Sequence, residues 1–482
     1  MQKPVTGDAR QLLNKAHSLL SDKLGVEAAR AFAAVLKVQP DCVEALAPLG
    51  QLLFQFNELP AALGCLQQAA RLSPEMPRLN ALMAAVLRKM GRWPESALCC
   101  EREICVSPSD PDAHYNLALA RQTLQQIEPA IAGYETALRL RPGYLDALLG
   151  LGRSLRQAGR AEAALNCFAD AVRLSQSDAR AHWEFGITQL ALGQFLTGWK
   201  EFEWRWKLPD FTTPVAEFKQ PLWDGGDLAG KRILLHCEQG NGDVIQFSRY
   251  ATLVANRGGK VILACPETLR SLMETVPGVM QVVTTRRDLP HFDTHAPLMS
   301  LPAIFGTTLE GIPATVPYIH PRSLASPGVK WVGDAPEKKV GVVWAGASAH
   351  ANDANRSMPF EFLKPLLSLP GIRWYSLQVG KAAEVLVDGA GEVVDLGSRF
   401  EHFEDTAGAT SELDLVISVD TAVAHLAGAM GKPVWLLLPF EAEWRWMTLR
   451  EDSPWYPTMR LFRQSAPGDW KELIKRVACH LK

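Results

Sequence analysis

Three short strings in the second half of the chain carry side chains that could bind an anion or move a proton. The first spans residues 239–243 and reads Gln-Gly-Asn-Gly-Asp. Gly240 and Gly242 let backbone N–H groups approach a ligand, and Asp243 stands where a general base could take a proton from a hydroxyl. Alternatively, Asp243 only caps a helix that begins near Val244. The residues alone leave both roles open.

The second string spans 418–425, Ser-Val-Asp-Thr-Ala-Val-Ala-His, and places a helix start just after a buried apolar run. Asp420 precedes that helix. Thr421 and His425 are four residues apart and therefore share one face of its first turn. A hydroxyl, an imidazole and exposed N–H groups then converge at the positive end of the helix dipole, which suits a diphosphate. The alternative is a capped helix with an incidental histidine.

The third string begins at Trp344 and Gly346 and continues to Arg356 and Ser357. Its small residues follow an apolar run, so we expect them at the carboxyl end of a strand. Arg356 could pair with a phosphate through two parallel hydrogen bonds, or it could be a surface arginine. No metal-ligand cluster accompanies the strings, and the acidic pair at 110–112 is interpreted as a helix cap.

The elements that must position these strings alternate between short apolar runs and helical patterns. The runs stand at 233–237, 261–264 and 279–283 in one block, and at 340–344, 374–377, 415–419 and 434–438 in a second. Such alternation predicts parallel sheets with helical crossovers. We therefore predict two Rossmann-like α/β lobes, 231–333 and 334–482. Ligands would bind at the carboxyl ends of the strands, in the cleft between the lobes.

The first half of the chain has a 34-residue period. Prolines follow this step at 40, 74, 108 and 142, and so do three further series at 50, 84, 118, 152 and 186, at 57, 91, 125, 159 and 193, and at 62, 96, 130 and 164. Small residues in the first and third of these series let two helices approach closely, and Gly or Asn in the second tolerates the positive φ of a turn. The pattern resembles the tetratricopeptide repeat. We predict clear repeats at 42–75, 76–109, 110–143 and 144–177, a degenerate one from about residue 8, and another from about 178.

The repeats predict an α solenoid over 1–206, followed by a connector without regular structure at 207–230. Stacked repeats form a concave surface whose usual task is to hold a peptide or protein. The alternatives are a spacer or a dimerisation arm, and thus a homo-oligomer. The aromatic residues crowded between Trp199 and Trp206 are interpreted as a packing seam rather than a binding site.

Composition excludes several other classes of protein. The 482 residues carry a formal net charge of −2, without the basic excess that nucleic-acid binders carry. No apolar stretch is long enough for a membrane span and no secretory signal is visible, so we expect a cytoplasmic protein. The nine cysteines include no Cys-x-x-Cys pair, and we interpret them as small buried thiols rather than a metal or disulfide framework.

The second half, about 231–478, resembles the bacterial heptosyltransferase-like glycosyltransferases. Their hallmarks are a Gly-Asp step after the first strand, here Gly242-Asp243, and an Asp-Thr-x-x-x-His-Leu string, here at 420–426. Repeats followed by such a half also resemble the O-linked N-acetylglucosamine transferases and the bacterial repeat-containing flagellin glycosyltransferases. The strings at 444–446 and 453–457 look like further shared features, whose roles do not follow from the residues.

The resemblance implies a two-lobed (GT-B) enzyme that moves a sugar, with inversion and without a metal or cofactor, from a nucleotide sugar to an acceptor hydroxyl. Asp243 would be the base. Thr421, His425 and Arg356 would offset the charge growing on the leaving diphosphate. Gln378, at the end of another strand, would reach the nucleotide. The donor-binding set is then Gly240, Gly242, Trp344, Gly346, Arg356, Ser357, Gln378, Asp420, Thr421 and His425.

The sequence departs from the heptosyltransferase pattern in two places. Ala422 stands where those enzymes commonly have Gly, and the stretch 347–355 lacks Lys and Arg, which leaves Arg356 as its nearest cation. The repeats favour a protein acceptor, such as flagellin, modified on a Ser or Thr hydroxyl. The alternatives are a non-catalytic repeat scaffold with a degenerate sugar-nucleotide fold, and an enzyme with a glycan or lipid acceptor.

Overall fold

The computed structural model describes residues 5–211, 218–285, 289–322, 330–334, 336–350, 352–386 and 393–482. Contacts divide the chain into two compact units, Met1–Ser177 and Asp178–Lys482. The first unit is built of helices, and the second combines helices with two parallel sheets.

The first unit is a series of helix–turn–helix pairs. Its helices are α1 (Gly7–Ser21), α2 (Gly25–Val38), α3 (Val43–Gln55), α4 (Leu59–Leu72), α5 (Leu79–Lys89), α6 (Trp93–Val106), α7 (Pro111–Thr123), α8 (Ile127–Leu140), α9 (Leu145–Gln157) and α10 (Ala161–Leu174). The periodic prolines each stand two residues beyond the second helix of a pair. A proline there cannot continue the helix, because it lacks the N–H and its ring clashes with the preceding turn. This confirms the predicted helical repeat.

The turns inside the pairs confirm the predicted turn series. Asn57, Gly91, Gln125, Gly159 and Gly193 all have a positive φ, between 61° and 80°. The left-handed conformation is almost free of strain for Gly and tolerable for Asn. Gln125 adopts it as well, so the position rather than the residue type sets the backbone of this turn.

Close packing inside each pair explains the series of small residues. A Cβ added at Gly50 would stand 2.7 Å from Cγ of Leu66, and one added at Gly152 would stand 2.5 Å from the ring of Phe168. Both distances are shorter than atoms tolerate, so the facing helices touch backbone to side chain at these positions. Asp110 caps α7 by accepting the N–H of Asp112 at 3.0 Å, as the capping interpretation predicts.

The last predicted helix pair is α11 (Ala179–Ala191) and α12 (Phe195–Phe202). It groups with the second unit, so the contacts divide the chain after Ser177, whereas the sequence placed the boundary at 206. The physical reason is that Trp199 and Phe202 join the buried cluster of the sheets. In addition, Nε1 of Trp199 donates to the carbonyl of Thr307 at 3.0 Å. These aromatic side chains form a packing seam.

The first lobe consists of a four-stranded parallel sheet and its short helices. Its strands are β1 (Arg232–His236), β2 (Lys260–Ala264), β3 (Val279–Val283) and β4 (Thr294–Pro297), in the order β3-β2-β1-β4. Its helices are α13 (Asn241–Ser248), α14 (Ala251–Asn256), α15 (Arg270–Met273) and α16 (Leu301–Ile304). Ile233, Leu234 and Leu235 are all fully buried. Both faces of the sheet are therefore covered, which is why β1 is a continuous apolar run.

The second lobe consists of a six-stranded parallel sheet and its helices. Its strands are β5 (Lys338–Val343), β6 (Ile372–Ser376), β7 (Val393–Asp395), β8 (Leu415–Val419), β9 (Val434–Leu438) and β10 (Met459–Arg463), in the order β10-β9-β8-β5-β6-β7. Its helices are α17 (Asp353–Arg356), α18 (Lys364–Leu367), α19 (Phe403–Ser411), α20 (Ala422–Ala429) and α21 (Trp470–Leu481). The central strand β8 is buried at every position. Helix α20 begins directly after it, with Thr421 as its N-cap residue.

The cysteines are all free thiols. Cys42, Cys99, Cys100 and Cys265 are buried, whereas Cys105 and Cys479 are exposed. Burial raises the pKa of Cys100 to about 12, so this thiol stays protonated and unreactive. Among the helices of the described residues, none combines the length and apolar character needed to cross a membrane.

Candidate functional site

The helices that follow β1 and β8 pack against each other, which brings the strings 239–243 and 418–425 together. They meet closely at Gly242, where an added Cβ would stand 3.0 Å from Cδ2 of His425. The two strings that the sequence marked separately therefore form one site between the lobes. We call it the interlobe site; its central residues are Asp243, Asp420, His425, Glu443 and Arg445.

Arg445 connects the two lobes at the interlobe site. Its Nη2 lies 2.6 Å from Oδ1 of Asp243, and its Nη1 lies 2.8 Å from Oε2 of Glu443. The Arg445 side chain is only 9% exposed. A guanidinium so far from water needs anionic partners, because desolvation penalises its charge. Its Nε has no hydrogen-bond partner among the described residues.

The carboxylate of Asp243 is held on both sides. Oδ1 accepts from Arg445, and Oδ2 accepts the backbone N–H of Gly240 at 3.0 Å. The second contact is the helix-capping role that the sequence left open beside the role of base, and the structure contains it. The side chain is 17% exposed, so part of the carboxylate still faces solvent.

Glu443 is a second carboxylate at the same guanidinium. Besides Nη1, its Oε2 accepts the backbone N–H of Arg445 at 3.0 Å. The side chain is 31% exposed. Loss of surrounding water, reinforced by the negative charges of Asp420 and Asp243, raises the pKa of Glu443 to about 7 although Arg445 opposes the shift. The pKa of Glu443 is thus raised above the usual range of a glutamate.

His425 is locked in place by two aromatic residues. Its Nδ1 shares a hydrogen bond of 2.9 Å with the hydroxyl of Tyr456, and its ring stacks on Trp446 at 5.2 Å between centroids. Its Nε2 lies 3.8 Å from Oδ1 of Asp420. Burial holds the pKa of His425 well below its usual range, and the charge of Arg445 adds to that shift. The imidazole is therefore in its neutral form at neutral pH.

Asp420 lies directly before helix α20 and faces both His425 and Trp446. Its Oδ2 accepts Nε1–H of Trp446 at 2.9 Å. Burial raises the pKa of Asp420, while Arg445 and the Trp446 hydrogen bond act in the opposite direction. The neighbouring Thr421 is 8% exposed, and its hydroxyl bonds that of Ser418 at 3.0 Å.

Arg356 belongs to the same electrostatic environment. Its charge lowers the pKa of His425 and opposes the rise in that of Asp420. It packs over the backbone of the loop after β5, where a Cβ at Gly346 would stand 2.6 Å from its Nη2. The N–H of that glycine donates to Oγ of Ser357 at 2.9 Å. The third string thus forms a folded loop with an arginine beside the interlobe site.

Trp344 and Gln378 have structural tasks in this conformation. Trp344 is 2% exposed and packs on Phe360. Oε1 of Gln378 accepts the N–H groups of Trp344 at 3.1 Å and Ala345 at 2.9 Å, and its Nε2 donates to the carbonyls of Ala345 and Val379, both at 3.1 Å. With its hydrogen-bonding capacity occupied, Gln378 ties two loops together and offers no free group to a nucleotide.

Sequence reasoning did not assign roles to several residues of the site. Arg445 and Trp446 come from the string at 444–446, and Tyr456 comes from the string at 453–457; both strings had been noted only as shared features. His350 was not singled out either. Loss of part of the surrounding water and the charge of Arg356 lower the pKa of His350, while the charges of Asp420, Asp353 and Asp243 act in the opposite direction.

The acidic groups of the site surround an arginine. Throughout the part of the chain that the structure describes, no three His, Cys, Asp or Glu side chains are grouped so as to hold a metal ion. The space between Asp243 and Glu443 is occupied by the guanidinium of Arg445 instead.

Comparison with known protein families identifies the repeat class. The tetratricopeptide-repeat model matches residues 25–77, 115–179 and 149–195. These stretches cover helices α2–α4 and most of α7 through α11. The first unit is therefore a helical solenoid of the tetratricopeptide type, and the second unit is an α/β region with parallel sheets.

Individual relatives fall into two groups. Protein FlbA of Caulobacter vibrioides is 27% identical over 510 residues, which span 99% of this chain and 78% of that protein. A solved structure of MamA from Desulfovibrio magneticus RS-1 is 21% identical, covers 36% of this chain and 99% of its own, and has a TM-score of 0.35. A structure of YrrB is 18% identical, covers 35% of this chain and 88% of its own, and has a TM-score of 0.34.

Proposed function

We propose that this chain is a metal-independent, inverting glycosyltransferase of the GT-B type, which moves a sugar from a nucleotide sugar to a hydroxyl of a protein recruited by the repeats. The observation that carries the proposal is the meeting of the strings 239–243 and 418–425 at the interlobe site. Two parallel sheets that present the loops after their strands to one cleft are the usual setting for a ligand in an α/β protein.

The charges beside α20 support the donor half of the proposal. A nucleoside diphosphate leaves with additional negative charge, and an enzyme without a metal must offset it with fixed donors. Arg356 supplies a guanidinium, Thr421 supplies a hydroxyl, and helix α20 supplies backbone N–H groups. Neutral His425 would add a hydrogen bond rather than a charge.

The repeats support the acceptor half. A tetratricopeptide solenoid is a surface for holding proteins, and its presence in the same chain as the α/β region favours a protein acceptor over a glycan or lipid. Flagellin is one acceptor that the resemblance to repeat-containing glycosyltransferases suggests.

Donor binding is the direct test of this proposal. The purified protein would be titrated calorimetrically with UDP-N-acetylglucosamine, GDP-mannose, ADP-glucose and CMP-sialic acid, together with the variants Arg356→Gln and Thr421→Val. We expect saturable binding of one donor. We also expect a loss of at least about tenfold in affinity for each variant, since a hydrogen bond to a charged group contributes about 1.5–3 kcal/mol.

The matched control is Arg460→Gln, which removes the charge of an arginine on β10 that is 40% exposed and lies 3.8 Å from Glu451. It should leave donor affinity unchanged. If none of the donors binds, with or without a candidate protein acceptor, the chain is better described as a repeat scaffold with a non-catalytic α/β region.

A further inference from the structure

The interlobe site contains two carboxylates that could take a proton from an acceptor hydroxyl, Asp243 and Glu443. The two carboxylates differ in how many of their oxygens accept hydrogen bonds. Oδ1 of Asp243 accepts a hydrogen bond from Arg445 at 2.6 Å, and Oδ2 accepts the N–H of Gly240 at 3.0 Å. A proton arriving at Asp243 would therefore compete with a guanidinium at Oδ1 or with the helix cap at Oδ2.

Glu443 is arranged so that one oxygen is anchored and the other is open. Both of its hydrogen bonds, from Nη1 and the backbone N–H of Arg445, reach Oε2. Oε1 has no hydrogen-bond partner within the described part of the chain. The side chain is 31% exposed, against 17% for Asp243. A carboxylate that is held at one oxygen and unbonded at the other can accept a proton from a hydroxyl placed within hydrogen-bonding distance of the unbonded oxygen.

The surroundings of Glu443 also suit this task. A carboxyl group in water has lost its proton well below pH 7 and has little tendency to take one up. The surrounding protein displaces part of the water around Glu443, and the negative charges of Asp420 and Asp243 add to this effect, so its pKa is raised to about 7 although Arg445 opposes the shift. A base is most effective when its pKa is close to the pH at which it works.

We propose that Glu443 is the catalytic base of the interlobe site and that Asp243 is a positioning residue, which holds Arg445 and the loop after β1. This assignment rests on the proposed glycosyl transfer. In the reaction, the acceptor O–H bond breaks and its proton passes to Oε1 of Glu443. The electron pair freed on the acceptor oxygen forms the new bond to the anomeric carbon. The bond from that carbon to the nucleoside diphosphate breaks, and its electron pair leaves with the diphosphate.

Water can replace the unknown acceptor in the first experiment. The donor that binds in the calorimetric panel would be incubated with the full chain, and its hydrolysis followed from pH 5 to 9. Glu443→Gln keeps the size and one oxygen of the side chain but cannot take the proton. We expect hydrolysis to fall by at least about 100-fold, and the loss of rate on the acid side of pH 7 to disappear from the profile.

Two matched variants separate a base from a positioning residue. Asp243→Asn should lower the rate but keep the acid limb near pH 7, because Glu443 still titrates. Glu451→Gln changes a glutamate that is 85% exposed and should behave as the wild type. The assignment is overturned if Glu443→Gln keeps the limb and most of the rate, or if Asp243→Asn removes the limb.

Failure of the proposed function has a different signature. A wild type that binds none of the donors overturns the transferase proposal, and the assignment of a base falls with it. If a donor binds but is not hydrolysed, the pKa of Glu443 is measured instead. The protein is labelled with ¹³C at the glutamate side-chain carboxyl and titrated by NMR. One resonance, absent in Glu443→Gln, should titrate near pH 7; a midpoint for that resonance below about 5.5 would overturn the assignment.

Discussion

Arg445 in the second lobe lies 2.6 Å from Asp243 in the first, and this ion pair joins two segments that are 202 residues apart in the chain. Both side chains are largely buried, at 9% and 17% exposed. An ion pair in such a place contributes little net stability, yet removing one partner leaves an uncompensated charge that is costly. Its main consequence is to fix how the loop after β1 meets the second lobe.

Arg445→Met should therefore lower the free energy of unfolding of the second unit by about 3 kcal/mol, because Asp243 and Glu443 lose their shared cation. Urea unfolding followed by tryptophan fluorescence measures this, since every tryptophan except Trp93 lies in residues 178–482. Adding Asp243→Asn to Arg445→Met should recover part of the loss. Strictly additive effects of the two changes would contradict a direct pairing.

Gly242→Ala tests the close approach of the lobes. Its Cβ would meet Cδ2 of His425 at 3.0 Å, and that ring cannot move freely because Tyr456 and Trp446 hold it. Overpacking of this kind costs about 1–3 kcal/mol. Gly240→Ala is the control, since its Cβ would meet Oδ2 of Asp243 at an ordinary 3.6 Å. If the two variants unfold at the same urea concentration, Gly242 is not at a tight contact.

Sequence periodicity predicted most of the elements but missed three of the four edge strands of the sheets. The strands β1, β2, β3, β5, β6, β8 and β9 were evident because buried parallel strands are continuous apolar runs. β4 contains Thr294 and His295, and β10 alternates Arg with apolar residues, so neither has such a run. β10 and the short β7 lie at the two edges of their sheet and are partly exposed, so fewer of their side chains need to be apolar. β4 is also at an edge but is buried at every position, and there Thr294 donates to the carbonyl of Pro221, so a buried strand carries polar side chains.

The candidate site was predictable only as far as local patterns reach. Asp243 and His425 stand out because each follows a buried strand at a helix start. Glu443 and Arg445 lie in a short 3-10 turn after β9, which Glu443 caps by accepting the N–H of Arg445. A turn of three residues has no apolar period, and the importance of these two residues depends on contacts that only the folded chain creates. Gln378 shows the opposite case, because its place after β6 suggested a ligand while the loop backbone uses its side chain.

The buried His425 should make the second unit sensitive to acid. Its folded-state pKa is well below 6.5, so under acidic conditions the unfolded chain binds a proton that the folded chain does not. Stability from this group is thus present above about pH 6.5 and falls as the pH drops, by at most about 1.4 kcal/mol per pH unit.

His425→Gln, which can still bond Tyr456, should lose less stability between pH 7 and pH 5 than the wild type does. Glu443 acts in the opposite direction, because its raised pKa means that the folded chain binds the extra proton between about pH 4.5 and 7. Glu443 is present in both the wild type and His425→Gln. The difference between their urea midpoints at each pH therefore reports the contribution of His425 alone. Parallel pH profiles for the two proteins would show that the histidine is not buried in its neutral form.

Arg205 and Glu238 form a second buried ion pair, which joins the segment after α12 to the loop that leads into Gly240. Nε of Arg205 lies 2.8 Å from Oε2 of Glu238, and neither side chain is exposed. Nη2 of Arg205 also donates to Oγ of Ser300 at 2.7 Å. Arg205→Met should destabilise the second unit by about 3–5 kcal/mol, because it leaves a buried carboxylate without its cation.

Arg205→Met combined with Glu238→Gln should be less destabilised than Arg205→Met alone, since the stranded charge is gone. Arg270→Met is the control: it breaks an ion pair with Glu267 whose partners are 41% and 68% exposed, and it should change the urea midpoint little. A double variant as unstable as the sum of its single changes would mean that the pair does not act as a unit. Agreement would identify Arg205 as the residue that holds the segment after α12 against the loop carrying Gly240.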